Sequence, residues 1–362
     1  MRANVPVVRR RGPLAWAVGF VVAAAACSGG GGAATSSGAG GSTTTPASVS
    51  IGAGLQGPRG VAASEYAKGL VHASAMTFDI EGRLWVATAD YSDSGSDGLY
   101  VVPSQGATPV EVVPGLHTPL GLLWIGDSLY VSATGGVEAY HQFDGTSSFA
   151  SHDTVLALPD GVGEVNGMEL APDGRIWMGI SSPCDHCTPD QDDSASVVSF
   201  QPDGTDLRVE VKGVRAPIAF AYYPNTTDLF TTMNQRDDLG DATPGDWLSV
   251  VASGQAWGFP DCYGQGGASC AGAPSPVAVL DKHAAVSGLA IVGSSAYVAE
   301  WATGKVLRVA LSNTGGTYSG VVSTFVTGIQ KPMPITTTST GSLVVADWAT
   351  GTVYELTGEP GS

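Results

Sequence analysis

Leu84-Trp-Val-Ala-Thr-Ala89, Leu129-Tyr-Val-Ser-Ala-Thr134, Ile176-Trp-Met-Gly-Ile-Ser181, Leu229-Phe-Thr-Thr-Met-Asn234, Ala296-Tyr-Val-Ala-Glu-Trp301 and Leu343-Val-Val-Ala-Asp-Trp348 are six copies of one short apolar strand. Their starts lie 45, 47, 53, 67 and 47 residues apart, and a repeat of about 40–50 residues carrying several short strands is the signature of a propeller blade. Each copy is followed by a further strand: Gly98-Leu-Tyr-Val-Val, Gly136-Val-Glu-Ala-Tyr, Val197-Val-Ser-Phe, Trp247-Leu-Ser-Val-Val, Val306-Leu-Arg-Val and Val353-Tyr-Glu-Leu. Asp173-Gly174 and Gly341-Ser342 suit tight hairpin turns. No segment sustains a helical period. A β-sandwich alternates in the same way but would not repeat its side chains six times. The pattern therefore predicts an all-β, six-bladed β-propeller of four-stranded blades.

Working outward, the outer strands after each repeat fall at 109–113, 154–158, 207–211, 276–280 and 322–326, one too few. The stretch 61–67, ahead of the first repeat, supplies the sixth. An N-terminal outer strand should thus complete the blade built by the C-terminus and cover an otherwise open sheet edge. The propeller is expected over 58–358.

Residues 1–26 read as a lipoprotein signal peptide: Arg9, Arg10 and Arg11 precede an apolar run that ends in Ala24-Ala25-Ala26-Cys27. The run is too short to span a bilayer comfortably, and Cys27 is the expected lipidation site. Residues 27–57, rich in Gly, Ser and Thr, are expected to form a flexible tether. The chain should then be exported to the periplasm or cell surface, touching a membrane only through its lipid, and monomeric.

Four of the 16 Lys and Arg precede residue 12, leaving 12 against 33 Asp and Glu and a net charge near −21. That balance excludes a nucleic-acid partner, which would need a basic face. Beyond Cys27, the cysteines form two local pairs, Cys184/Cys187 and Cys262/Cys270, read in an exported chain as disulfides. The Cys184-x-x-Cys187 pair could also be redox-active or hold zinc, but no second Cys/His pair sits at zinc spacing.

The loops leading into each blade occupy equivalent positions, and their residues should surround the mouth of the central channel. They carry His72, His117, Glu164, Arg215, Lys282-His283 and Lys331, so five of six blades offer a basic group. In an acidic chain, such a concentration suggests an anionic ligand. A second cluster, Asn234-Gln-Arg-Asp-Asp-Leu-Gly-Asp241, followed by Asp246, could present hard oxygen ligands to calcium or could simply be solvated. There is no Gly-x-Ser-x-Gly elbow, His-Glu-x-x-His or phosphate-cradling Gly-rich loop.

Several stretches together resemble the glucose/sorbosone dehydrogenase family, propeller enzymes that use pyrroloquinoline quinone (PQQ), including sorbosone-type and pyranose dehydrogenases. They are Ala171-Pro-Asp-Gly-Arg-Ile-Trp177, Ser181-Ser-Pro-Cys-Asp-His-Cys187, Gly213-Val-Arg-Ala-Pro217, Asn234 to Asp241, Trp257-Gly-Phe-Pro-Asp-Cys-Tyr-Gly264 and His283-Ala-Ala285. The resemblance implies oxidation of a sugar hydroxyl or hemiacetal, or of an aldehyde, by hydride transfer to the quinone, with calcium polarising it. It implies that Arg215 and Lys331 answer the cofactor's carboxylates and that His283 lies at the quinone pocket in a catalytic role. His117, from its leading loop, joins the cofactor-binding set, and Asp237, Asp238 and Asp241 belong to a calcium-associated loop. The partners implied are a small sugar or aldehyde and a separate electron acceptor.

The chain departs from that pattern in three places. The family's base histidine falls near Gly163-Glu164, the Asn after the motif arginine is Ala216, and the Glu-x-Gly-Ser-Trp-Asn segment is shortened to Glu300-Trp301-Ala302. Glu164 could take over as base, since a desolvated carboxylate can abstract a hydroxyl proton. The alternatives are a non-catalytic propeller that binds carbohydrate or a partner, and a lactonase-type hydrolase using a channel metal.

Overall fold

The computed structural model describes residues 48–92, 94–263 and 270–358. The signal peptide, Cys27 and most of the expected tether lie outside the described residues. Among those described, the only helix is the single 3-10 turn Gly240–Ala242, and no helix is long and apolar enough to cross a membrane.

Six antiparallel sheets form the blades of a propeller. From the innermost strand outward, blade 1 is Ala73–Phe78, Leu84–Thr88, Asp97–Val102 and Val110–Leu116. Blade 2 is Gly121–Ile125, Ser128–Ala133, Gly136–Phe143 and Phe149–Ala157; blade 3 is Val165–Leu170, Ile176–Ile180, Ser196–Phe200 and Arg208–Lys212. Blade 4 is Pro217–Tyr222, Leu229–Met233, Trp247–Val251 and Ala278–Val279; blade 5 is Val286–Val292, Ser295–Glu300, Lys305–Thr314 and Thr317–Thr327. Blade 6 is Pro332–Thr337, Leu343–Asp347, Val353–Thr357 and the N-terminal Ala62–Ala67. The expected closure is present, with Val353 opposite Ala67 and Leu356 opposite Ala63.

Two differences from the sequence reading have physical causes. Part of the stretch assigned to the tether is ordered: Val49–Gly52 and Leu55–Gly57 form a hairpin on the outer edge of blade 5. Ile51 and Leu55 are buried there with Phe325, Val326 and Tyr354, so these apolar residues plug the seam between blades 5 and 6. The outer strand expected at 276–280 shrinks to Ala278–Val279, where Pro274 and Pro276 lack the N–H needed to extend the ladder. The long spacing ahead of blade 5 is explained nearby. Gln255–Ala256 crosses to pair in parallel with blade 3, and Trp257 stacks on buried Trp247 with ring centroids 4.4 Å apart.

Side chains from adjacent blades interleave into apolar clusters, as where Val197 and Val211 meet Phe220, Trp247 and Trp257. The inner ring is tight: a Cβ on Gly288 would sit 2.4 Å from the Ile335 nitrogen of the next blade. In five of the six blades the inner strand carries a register shift, which re-aims its residues at the channel.

Candidate functional site

The mouth loops are pinned by buried carboxylates. Asp97 accepts from the Asp90 and Thr118 amides at 2.8 and 3.2 Å. Asp246 accepts from Gln235 and Val286 at 2.7 and 3.2 Å, and Asp347 from Gln330 and Lys331 at 3.1 and 3.0 Å. Glu300 accepts from the Asp281 amide at 3.2 Å. Each is at most 2% exposed, and burial raises Asp246 to about 6 despite its two amide donors. These residues set the geometry of the rim but were not singled out for this role by the sequence. Their common feature, an acid at the end of the second strand or the start of the third, is the signal that could have found them.

Two cavities open on this face. One, of about 700 Å³, lies over blades 3 to 5 and is lined by Glu164, Arg215, Gln235, Asp237, Asp246 and His283. The other, of about 760 Å³, is the central channel, lined by Tyr91, Asn166, Glu169, Trp301 and Trp348. Glu164, Asn234 and Ala285 border both. Both volumes fall within the roughly 300–1,000 Å³ range of small-molecule sites.

The disulfide loop organises the first cavity. Cys184 is joined to Cys187, and Cys262 to Cys270, as expected. Between the first two, Asp185 accepts from Arg215 through both its carbonyl and its carboxylate. The same carboxylate caps the amides of Asp237 and Asp238 at 2.9 and 2.8 Å. Arg215 also donates to the Asn234 carbonyl at 3.2 Å. A guanidinium has five N–H donors, so two remain beyond these three bonds. The Asn234 side-chain oxygen is buried without a protein partner.

Glu164 follows Gly163, whose Cβ would fall 2.1 Å from the Ser181 oxygen, so only glycine lets the loop pass. Glu164 borders both cavities and is solvent-exposed at their shared rim. Desolvation raises its pKa, and the Arg215 charge partly opposes that rise.

His283 lines the same cavity, but its Nδ1 faces the Asp237 carboxylate and its Nε2 faces the Gly240 carbonyl at 3.0 Å. Two acceptors require two N–H donors, which only the imidazolium has. The Asp237 bond, then the Gly240 bond, raises its pKa. His283 is thus held between two acceptors on the loop, an arrangement that favours its protonated form and occupies both ring nitrogens.

The expected ring of cations around one point is not formed. Arg215 and His283 line the first cavity, whereas His117 lines neither. Lys331 lies with its ammonium 4.0 Å from the centroid of the Trp301 ring, His72 packs against Trp348, and Lys282 bonds the Asp241 carbonyl at 3.0 Å. The three carboxylates assigned to calcium also diverge. Asp237 pairs with His283, and Asp238 takes a bidentate pair from Arg236 at 2.6 Å. Among the described residues, no group of three or more His, Cys, Asp or Glu side chains converges on a metal position. Asp237 and Asp238 are held in ion pairs, so the three carboxylates do not form a cage among the described residues.

An anionic planar cofactor fits the first cavity better. Arg215 has two spare donors, His283 sits in a setting that favours its protonated form, and the cavity is large enough.

No protein-family model and no curated protein sequence matches the chain. Solved structures do. The PQQ-bound aldose sugar dehydrogenase of Streptomyces coelicolor aligns with a TM-score of 0.67 at 20% identity, over 84% of this chain and 100% of that one. The PQQ domain of pyranose dehydrogenase from Coprinopsis cinerea, in its holo form, gives 0.69 at 14%, over 83% and 96%. A Trichoderma reesei protein of carbohydrate-active enzyme family AA12, with a calcium structure, gives 0.70 at 16%, over 87% and 98%. At these identities the likeness establishes the shared six-bladed fold, across nearly the whole length of each of those chains.

Proposed function

We propose that the protein is a PQQ-dependent sugar dehydrogenase of the aldose type, with the cofactor in the cavity over blades 3 to 5. The observation that carries this reading is the meeting, at one cavity, of a desolvated carboxylate with a buttressed arginine and an imidazolium. PQQ, when bound, supplies a two-electron acceptor for the hydride leaving the sugar carbon.

The chain's own residues do the rest. Arg215, held by Asp185, offers its two spare N–H groups to the cofactor's carboxylates, and His283 adds positive charge nearby. Gln235 and Asn234 flank the same space. Glu164 accepts the proton of the sugar hydroxyl or hemiacetal as the C–H bond breaks, a role suited to a carboxylate whose basicity is raised by desolvation. Lys331 and His117 keep no direct role in this reading. Calcium would have to be held by oxygen ligands other than the Asp237, Asp238 and Asp241 carboxylates, so no step is assigned to it. The chain would be exported and lipid-anchored through Cys27, passing electrons to a separate acceptor.

The test is reconstitution with PQQ, with and without calcium, followed by calorimetry and dye reduction with glucose and other aldoses. Bound cofactor and sugar-dependent reduction are expected. Absence of PQQ binding overturns the reading and leaves a carbohydrate-binding propeller.

A further inference from the structure

The channel mouth is chemically split. The last position of the repeated second strand is Thr134, Ser181 and Asn234 in blades 2 to 4, but Trp301 and Trp348 in blades 5 and 6. Just beyond that position in blade 1 comes Tyr91. Trp301 and Trp348 hold equivalent positions on adjacent blades and meet edge-on, and Tyr91, two residues past the matching Ala89 of blade 1, lines the same channel.

Their orientations are held. The Trp348 indole donates to the Ala89 carbonyl at 2.9 Å, packs on His72 at 4.3 Å and meets Trp301 edge-on at 5.6 Å. Lys331 covers Trp301. Tyr91 is 47% exposed and has a φ of 59°, a left-handed conformation that bulky residues avoid. The amides around it are tied down, Ala89 to the His72 carbonyl and Asp90 to the Asp97 carboxylate before it, and Ser92 to the Asp90 carboxylate after it. Strain of this kind, kept by surrounding bonds, marks a position maintained for a purpose.

We propose that this arc is a subsite for a second sugar ring, so that the ligand is a di- or oligosaccharide rather than a monosaccharide. The inference rests on the proposed dehydrogenase site for the ring next to Glu164. A pyranose has an apolar C–H face and a hydroxyl rim. Fixed aromatic faces match the first at little entropic cost, and the Asp90 carboxylate on the channel wall matches the second. Two indoles and a phenol on three blades offer more surface than one ring can cover. The channel, about 760 Å³ in addition to the first cavity, has room that one monosaccharide would leave empty.

The experiment titrates glucose, maltose and cellobiose into the full chain, with and without PQQ, followed by tryptophan fluorescence. Wild-type protein should bind at least one disaccharide more tightly than glucose. Trp348→Ala should lower that preference about tenfold, the scale of one lost well-packed aromatic contact. Tyr91→Gly, which relieves the backbone strain and so preserves folding, should lower it in the same direction. PQQ affinity, measured separately by absorbance, should be retained in both variants. Equal affinity for glucose and both disaccharides in wild type overturns the proposal. So does a loss of PQQ affinity in Trp348→Ala, which would assign the arc to the cofactor. If PQQ never binds but the disaccharide preference and its loss persist, the subsite stands and the dehydrogenase reading falls.

Discussion

Arg215 and Asp185 are locked by two bonds, Nε to the Asp185 carbonyl at 2.9 Å and the guanidinium to its carboxylate at 2.8 Å. The same carboxylate caps the amides of Asp237 and Asp238. One side chain on a disulfide-closed loop therefore orients both the cation and the backbone turn of the proposed cofactor cavity. Asp185→Ala should weaken PQQ binding by about tenfold or more, the scale of a charge-assisted hydrogen bond lost indirectly. Calorimetry checks it; unchanged affinity would show that Arg215 is positioned without Asp185.

Glu164 is the residue on which turnover should depend. A base works only when deprotonated, so the rate should rise with pH through the raised Glu164 pKa, placing the ascending limb above the ordinary carboxylate value of 4.5. Arg215 opposes the rise, so Arg215→Ala should move the limb higher when measured at saturating cofactor. Glu164→Gln should abolish turnover with PQQ affinity nearly intact. A pH profile that is the same in Glu164→Gln and wild type would sink the assignment.

The His283–Asp237 link should show a distinct pH signature. His283 is raised above 6.5 in the folded chain, so the stabilisation is fully present below the unfolded value and is lost as pH rises through the folded one. The melting-temperature gap between wild type and His283→Ala should therefore be widest below pH 6.5 and narrow as pH rises through the raised folded value. A gap that widens with pH would contradict the imidazolium.

Ring closure and the hairpin at 49–57 are separable. Leu55 is 1% exposed in the seam of blades 5 and 6, and Leu55→Ala should cost about 2–5 kcal/mol with the propeller still closed. Deleting 58–67 instead uncovers the Val353–Thr357 edge and should cause aggregation. Denaturant titration and light scattering distinguish the two. A soluble, monomeric deletion would defeat the closure argument.

By itself the sequence determined the architecture, because strand alternation and blade length are local properties: the repeat at Leu84, Leu129 and Ile176 is read residue by residue. It also determined the closing strand, since five outer strands cannot complete six sheets, and the two disulfides, whose partners are 3 and 8 residues apart. It placed Glu164, Arg215 and His283 on leading loops that the structure brings to one cavity. Only the tertiary structure decided where the other mouth side chains go, since alignment fixes a position in a loop but not a direction. Lys331 therefore covers Trp301 rather than the first cavity, and His72 backs Trp348. In the acidic run read as calcium ligands, Asp238 pairs within the run with Arg236, while Asp237 takes a partner from elsewhere, His283, 46 residues away. The upward pull on the His283 pKa likewise comes from Asp237 first and the Gly240 carbonyl second, 46 and 43 residues away in the chain. The pinning role of Asp246 was equally invisible, because the amides it holds lie 11 and 40 residues away and meet only once blades 4 and 5 have packed.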